Sequence, residues 1–146
     1  MRTVEEIRAD YADLESELKL LKEKFDYEKS MLNNIFHLIE NSNEINVEFH
    51  KDILNLLDKH DSKIEDIGDC LAYTKVHAIN SLERDVEKLR DVAVKEEMIP
   101  KYKAVYNKAS IIQRDSRYIQ RKASEKLELL LEKAKKCCLE EWWNLV

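Results

Sequence analysis

The sequence predicts an all-α protein, an elongated antiparallel coiled coil or helical bundle, and three observations carry that prediction. The chain of 146 residues holds 1 Gly and 1 Pro, too few turn formers for a sandwich, a barrel or a doubly wound sheet. Charged residues make up 38% and hydrophobic residues 44%, enough apolar material to fill a helical seam and too much for wholesale disorder. Apolar side chains recur three and four residues apart over long stretches, the period of a packed helix face. A single helical domain spanning residues 1–146 is expected.

The first helix is predicted over residues 3–40. Val4, Ile7, Tyr11, Leu14, Leu18, Leu21, Phe25, Leu32, Ile35 and Ile39 alternate by threes and fours, and the slot at Glu28 is the one interruption. A heptad stripe of this length reads as a coiled-coil seam, with Leu14, Leu18, Leu21 and Phe25 as its partner contacts. Thr3 followed by Glu6 fits a capping box that starts the helix. Asn41-Ser42-Asn43 offers side chains that compete for backbone hydrogen bonds, so a reversal is expected at 41–43.

A very long second helix is predicted over residues 44–136. Its stripe begins Ile45, Phe49, Ile53, Leu56, Leu57, Ile64, Ile67, Leu71, Ala78, Leu82, Val86 and Leu89. The spacing drifts between Leu56 and Ile64 and again between Ala78 and Leu82, which implies a period nearer 3.6 and a wider face. Gly68 weakens this helix by about 1 kcal/mol without ending it. Pro100 removes a hydrogen bond and clashes one turn back. With no Gly, Asn or Ser beside it, a kink is preferred there over a hairpin. The stripe resumes at Tyr102, Val105, Ala109, Ile112, Ile119, Ala123, Leu127, Leu130, Ala134 and Cys137. One helix of that extent leaves more seam than the first can cover, so a second copy, in a homo- or heterodimer, is expected at Ile112 and Ile119.

Charge is segregated along the chain. Residues 1–98 carry 14 basic and 24 acidic side chains, whereas residues 99–136 carry 11 basic and 4 acidic. Local stretches act locally, because screening limits each charge to about 8 Å at physiological salt. At 100° per residue Lys103, Arg114, Arg117 and Arg121 fall within about 60° of one another, opposite Val105, Ile112 and Ile119. The same ridge suits acidic lipid headgroups, a solvated face, or docking onto acidic helices. Nucleic acid fits less well, because Tyr102 and Tyr106 lie nearer the seam than the ridge.

Catalytic and metal chemistry find little here. His37, His50, His60 and His77 are never three or four apart, so no two make a helical ligand pair. One glycine cannot build a phosphate-cradling loop. No cofactor and no enzyme activity are expected. Cys70, Cys137 and Cys138 are an odd count without a framework, which fits free thiols in a reducing compartment. No apolar leader opens the sequence and no apolar run is long enough to span a bilayer, so a cytoplasmic or peripheral location is expected. Trp142 and Trp143 point about 100° apart on a helix, so one of them is free to anchor a partner or a membrane interface. The tail containing them, residues 137–146, is expected to fray.

Lys63-Ile64-Glu65-Asp66-Ile67, then Ile112-Gln113-Arg114-Asp115-Ser116-Arg117-Tyr118-Ile119-Gln120-Arg121-Lys122-Ala123, then the Leu- and Lys-rich run from Leu127 to Lys136, resemble the second helix of sorting-nexin BAR domains. The likeness spans roughly residues 30–136. It implies a crescent dimer that senses or imposes membrane curvature in endosomal sorting. It also implies headgroup contacts by Arg114, Arg117, Arg121 and Lys122.

Overall fold

The computed structural model describes residues 2–42 and 46–137. The chain is all-α: α1 (Val4–Asn41), α2 (Val47–Tyr73), a π-helical turn (Thr74–Ile79), α3 (Asn80–Glu87) and α4 (Val92–Cys137). Two compact units share these helices. Unit 1 comprises Met1–Phe25 and Ile67–Asp115, and unit 2 comprises Asp26–Asp66 and Ser116–Val146. Trp142, Trp143 and Cys138 lie outside the described residues, as do Asn43, Glu44 and Ile45 of the expected turn and helix start.

In unit 1 the first half of α1 starts where the sequence places it. The Glu6 amide donates to Thr3 Oγ1 at 3.2 Å, and the Thr3 hydroxyl donates to Glu6 Oε1 at 3.2 Å. Two otherwise orphaned groups of the first turn are thereby satisfied. Ile7, Leu14, Leu18, Leu21 and Phe25 are buried, as are Leu71, Ile79, Leu82 and Val86 of the returning chain. Thr74 Oγ1 donates to Glu17 Oε1 at 3.4 Å and Arg2 reaches Asp85 at 3.4 Å, so the returning chain lies antiparallel to α1. Arg8 pairs with Glu97 at 2.7 Å, which sets the start of α4 beside the start of α1.

The continuous helix expected over 44–136 is not what forms. The α3 segment ends at Glu87, residues 88–91 reverse the chain, and Pro100 sits inside α4. The reversal needs no glycine, and no described residue has a positive φ. Asp91 makes it: its Oδ1 accepts the Ala93 amide at 3.0 Å and the Val94 amide at 3.4 Å, an aspartate N-cap. Lys95 Nζ donates to the Glu87 carbonyl at 3.0 Å, joining the end of α3 to the first turn of α4. Returning in this way, α4 buries Met98, Tyr102, Val105, Ala109 and Ile112 within unit 1. The surplus seam that called for a second copy is therefore covered within one chain, Ile112 and Ile119 included.

The drift near Ala78 has a local cause. Buried positions run Leu71, Thr74, Ile79, Leu82 and Val86, so one extra residue separates Thr74 from Ile79. The π turn absorbs it, with the Asn80 amide reaching back to the Lys75 carbonyl in the wider ring typical of a π bulge. Ile79, rather than Ala78, is the core residue.

Unit 2 repeats the three-segment packing. Leu32, Ile35, Phe36 and Ile39 of α1 are buried, with Ile53, Leu57 and Ile64 of α2 and Ile119, Ala123, Leu130 and Ala134 of α4. The second arm starts at Val47 rather than 44, because Asn46 Oδ1 caps it by accepting the Phe49 amide at 2.7 Å. At the end of α1, whose last turn has no basic residue, Lys133 of α4 supplies the cation. Its Nζ donates to the carbonyls of Ile39 (2.6 Å), Glu40 (2.8 Å) and Ser42 (3.0 Å), which satisfies orphan acceptors at the negative end of the helix dipole.

Two interruptions in the apolar stripes meet here. Glu28 fills the missed slot of α1, and His60 fills the drift between Leu57 and Ile64. Both are buried, with His60 Nδ1 2.5 Å from Glu28 Oε2. Lys63 Nζ approaches the other carboxylate oxygen at 3.7 Å from its exposed position. A polar pair inside a seam disfavours slipped registers, since a shift would strand a buried charge against apolar neighbours.

Replacing His60 by Leu leaves Glu28 only the longer Lys63 contact, and chemical denaturation is expected to show a loss of about 3 kcal/mol; the Glu28→Leu/His60→Leu double variant is expected to recover most of it. Asp91→Ala is expected to cost about 1 kcal/mol in the same measurement, with Asp91→Asn close to the parent.

Candidate functional site: a basic face on α4

The helix α4 is the most basic element. Over residues 116–136 it carries seven basic and three acidic side chains, against three basic and six acidic over residues 47–66 of α2. Within unit 2 these charges are used unequally. Lys126 is bonded to Glu40, whose carboxyl that ammonium holds below the usual carboxylate range. Lys133 is occupied by the end of α1. Arg117 and Arg121 stand one turn apart, exposed, and neither makes an ion pair with another described residue. Between them Tyr118 is 55% exposed, and Lys122 Nζ lies 5.8 Å from the centre of its ring. The ammonium thus lies within cation–π range of the aromatic face.

The seam on the opposite side explains why these residues point outward. Ser116, Ile119 and Ala123 are buried, and Arg117 and Arg121 fall between those positions, away from the core. Ser116 fills a core slot that the apolar pattern leaves blank between Ile112 and Ile119. Arg114 and Lys103, the other residues of the expected ridge, belong to unit 1. Arg114 is exposed, with its Nε 3.7 Å from Asp115, and Lys103 borders a groove beside α3. The face that can be described in one unit is therefore Arg117, Tyr118, Arg121 and Lys122.

Acidic charge stands against α4 as well. A small groove of about 110 Å³ is lined by Leu54, Leu57, Asp58 and Asp61 of α2 and by Ala123, Ser124 and Leu127 of α4. Burial pushes the Asp61 carboxyl up, with Glu65 and Asp58 adding to it. Its Oδ1 is buried without a hydrogen bond among the described residues. The ridge arginines do not neutralise this cluster, so the two signs stay separate on unit 2.

No helix among the described residues is long and apolar enough to cross a membrane. Among the described residues no group of three or more His, Cys, Asp or Glu is placed to hold a metal ion. Comparison with protein-family models, with curated proteins and with solved structures found no match.

The sign of the Asp61 effect gives a test. A carboxyl raised on folding favours the folded state below its unfolded range, and that contribution is lost as pH climbs through the folded value. Asp61→Asn is therefore expected to gain thermal stability relative to the parent as pH rises from about 4 to 7, as read by melting curves across that window.

Proposed function

We propose that the chain is a non-enzymatic helical module whose unit 2 binds an anionic membrane surface through Arg117, Tyr118, Arg121 and Lys122. One observation supports this reading above the rest: Arg117 and Arg121 are exposed and make no ion pair with another described residue, on a helix where two of the following lysines, Lys126 and Lys133, are bonded within the fold. Guanidinium groups match phosphate oxygens with two parallel donors. A tyrosine between them suits the headgroup level, where an apolar ring and a polar tip are both accommodated. Each basic side chain near an anionic surface contributes about 1 kcal/mol, so three of them give only weak, reversible, salt-sensitive binding. This reading needs no second copy of the chain. A setting in endosomal or vesicle traffic draws on the likeness to sorting-nexin BAR domains alone.

A second reading, a structural subunit or adaptor that docks onto other helical proteins, draws on Tyr27, Leu38 and Leu56. These are apolar side chains of unit 2 that stay 40–58% exposed.

Co-sedimentation with vesicles separates the two. The membrane reading expects binding to phosphatidylserine-containing vesicles, none to neutral ones, and loss with added salt. It also expects Arg117→Glu/Arg121→Glu to abolish binding without changing the melting temperature. Vesicles that fail to bind the parent chain, or that bind the charge-reversed variant equally well, defeat it.

A further inference from the structure

A groove of about 340 Å³ in unit 1 runs between the π turn with α3 and the facing part of α4. It is lined by Ile79, Asn80 and Glu83 on one side and by Tyr102, Lys103, Tyr106 and Asn107 on the other. Its size falls within the range of small-molecule sites. The π turn shapes it, because the extra residue before Ile79 sets where Asn80 and Glu83 emerge, and π bulges recur at functional positions.

The chemistry of the lining is selective. Glu83 is half-buried and makes no ion pair or hydrogen bond with another described residue, so its carboxylate has no counter-ion among them. The carboxamide oxygens of Asn80 and Asn107 are further acceptors. An ammonium has three donors and no acceptor, which matches one carboxylate and two carboxamides. Aromatic faces add to this. Lys75 Nζ already sits 4.7 Å from the centre of the Tyr106 ring while donating to Gln113 Oε1 at 3.2 Å, so this ring draws an ammonium within the fold itself. Two carboxylates act on this wall: the Tyr102 hydroxyl is pushed up by burial and then by Glu83 and Glu87. Lys103 on the groove lining and Lys75 at the Tyr106 ring oppose a cation, and Lys103 is exposed, where screening is strongest.

We propose that this groove binds a primary alkylammonium group, with Glu83 as its counter-ion, Asn80 and Asn107 as its acceptors, and Tyr102 and Tyr106 as its walls. The group arrives either on a free diamine or polyamine or on the lysine side chain of a peptide, and the chemistry is the same. It is independent of the basic face on unit 2.

Amide NMR of the full chain tests this, titrated separately with 1,5-diaminopentane and with Nα-acetyl-lysine amide, and with the Nε-acetylated lysine amide as the uncharged control. Saturable shifts confined to residues 79–83 and 102–107 are expected with a charged probe and not with the control. The tighter of the two charged probes identifies the source. Glu83→Gln, which keeps the shape, is expected to weaken binding about tenfold, the scale of one lost ion pair. Lys103→Gln is expected to tighten it, an opposite sign that damage to the fold does not produce. Absence of saturable shifts overturns the proposal, as do equal shifts on every acidic face, equal response to the acetylated control, or unchanged affinity in Glu83→Gln.

Discussion

The reversal capped by Asp91 is the constraint on which the rest of the structure depends. A heptad stripe is a demand for cover, since each large side chain left in water forgoes about 1.5–3 kcal/mol. The stripes of α1, α2 with α3, and α4 are each too long to stay exposed. By accepting the Ala93 and Val94 amides, one carboxylate satisfies two orphan donors in the first turn of the returning helix. The chain then returns, and each unit packs three helical segments from the same molecule. Had the helix run on through residues 88–91, the same stripes would have required a second chain.

Within unit 2, polar groups in the seam do a different job from the apolar ones. Leucines and isoleucines accept many registers at similar energy. A buried glutamate accepts only those that bring it a donor, and His60 is that donor at 2.5 Å. The Glu28–His60 pair therefore narrows the choice more than it adds to stability, because desolvating two polar groups offsets much of their attraction. Thr74 with Glu17 in unit 1 is a weaker, less buried counterpart at 3.4 Å.

Charge on α4 divides by use. Lys126 and Lys133 are tied to the end of α1, where carbonyls and Glu40 collect negative charge. Arg117 and Arg121 have no such task. Surface charges with no internal partner add little to stability, so the helix divides between cations that hold the fold and cations that face solvent. In unit 1 the reverse sign is unspent, at Glu83.

Helical class, the start of α1 at its Thr3–Glu6 capping box and most of the core were legible in the sequence, because period and capping are local properties. Leu18, Leu32, Ile64 and Ile119 are buried as their spacing requires. Neighbours three and four apart settle such positions without reference to the rest of the chain. What stayed hidden depends on partners distant in sequence. Glu28 and His60 read as two flaws until the fold sets them together. Residues 88–91 lack the usual turn formers, and an aspartate N-cap looks like any surface acid until α4 has something to return to. Which cations of α4 are free was likewise decided by the tertiary structure, since only packing brings the carbonyl end of α1 to Lys133 and leaves Arg117 and Arg121 facing solvent.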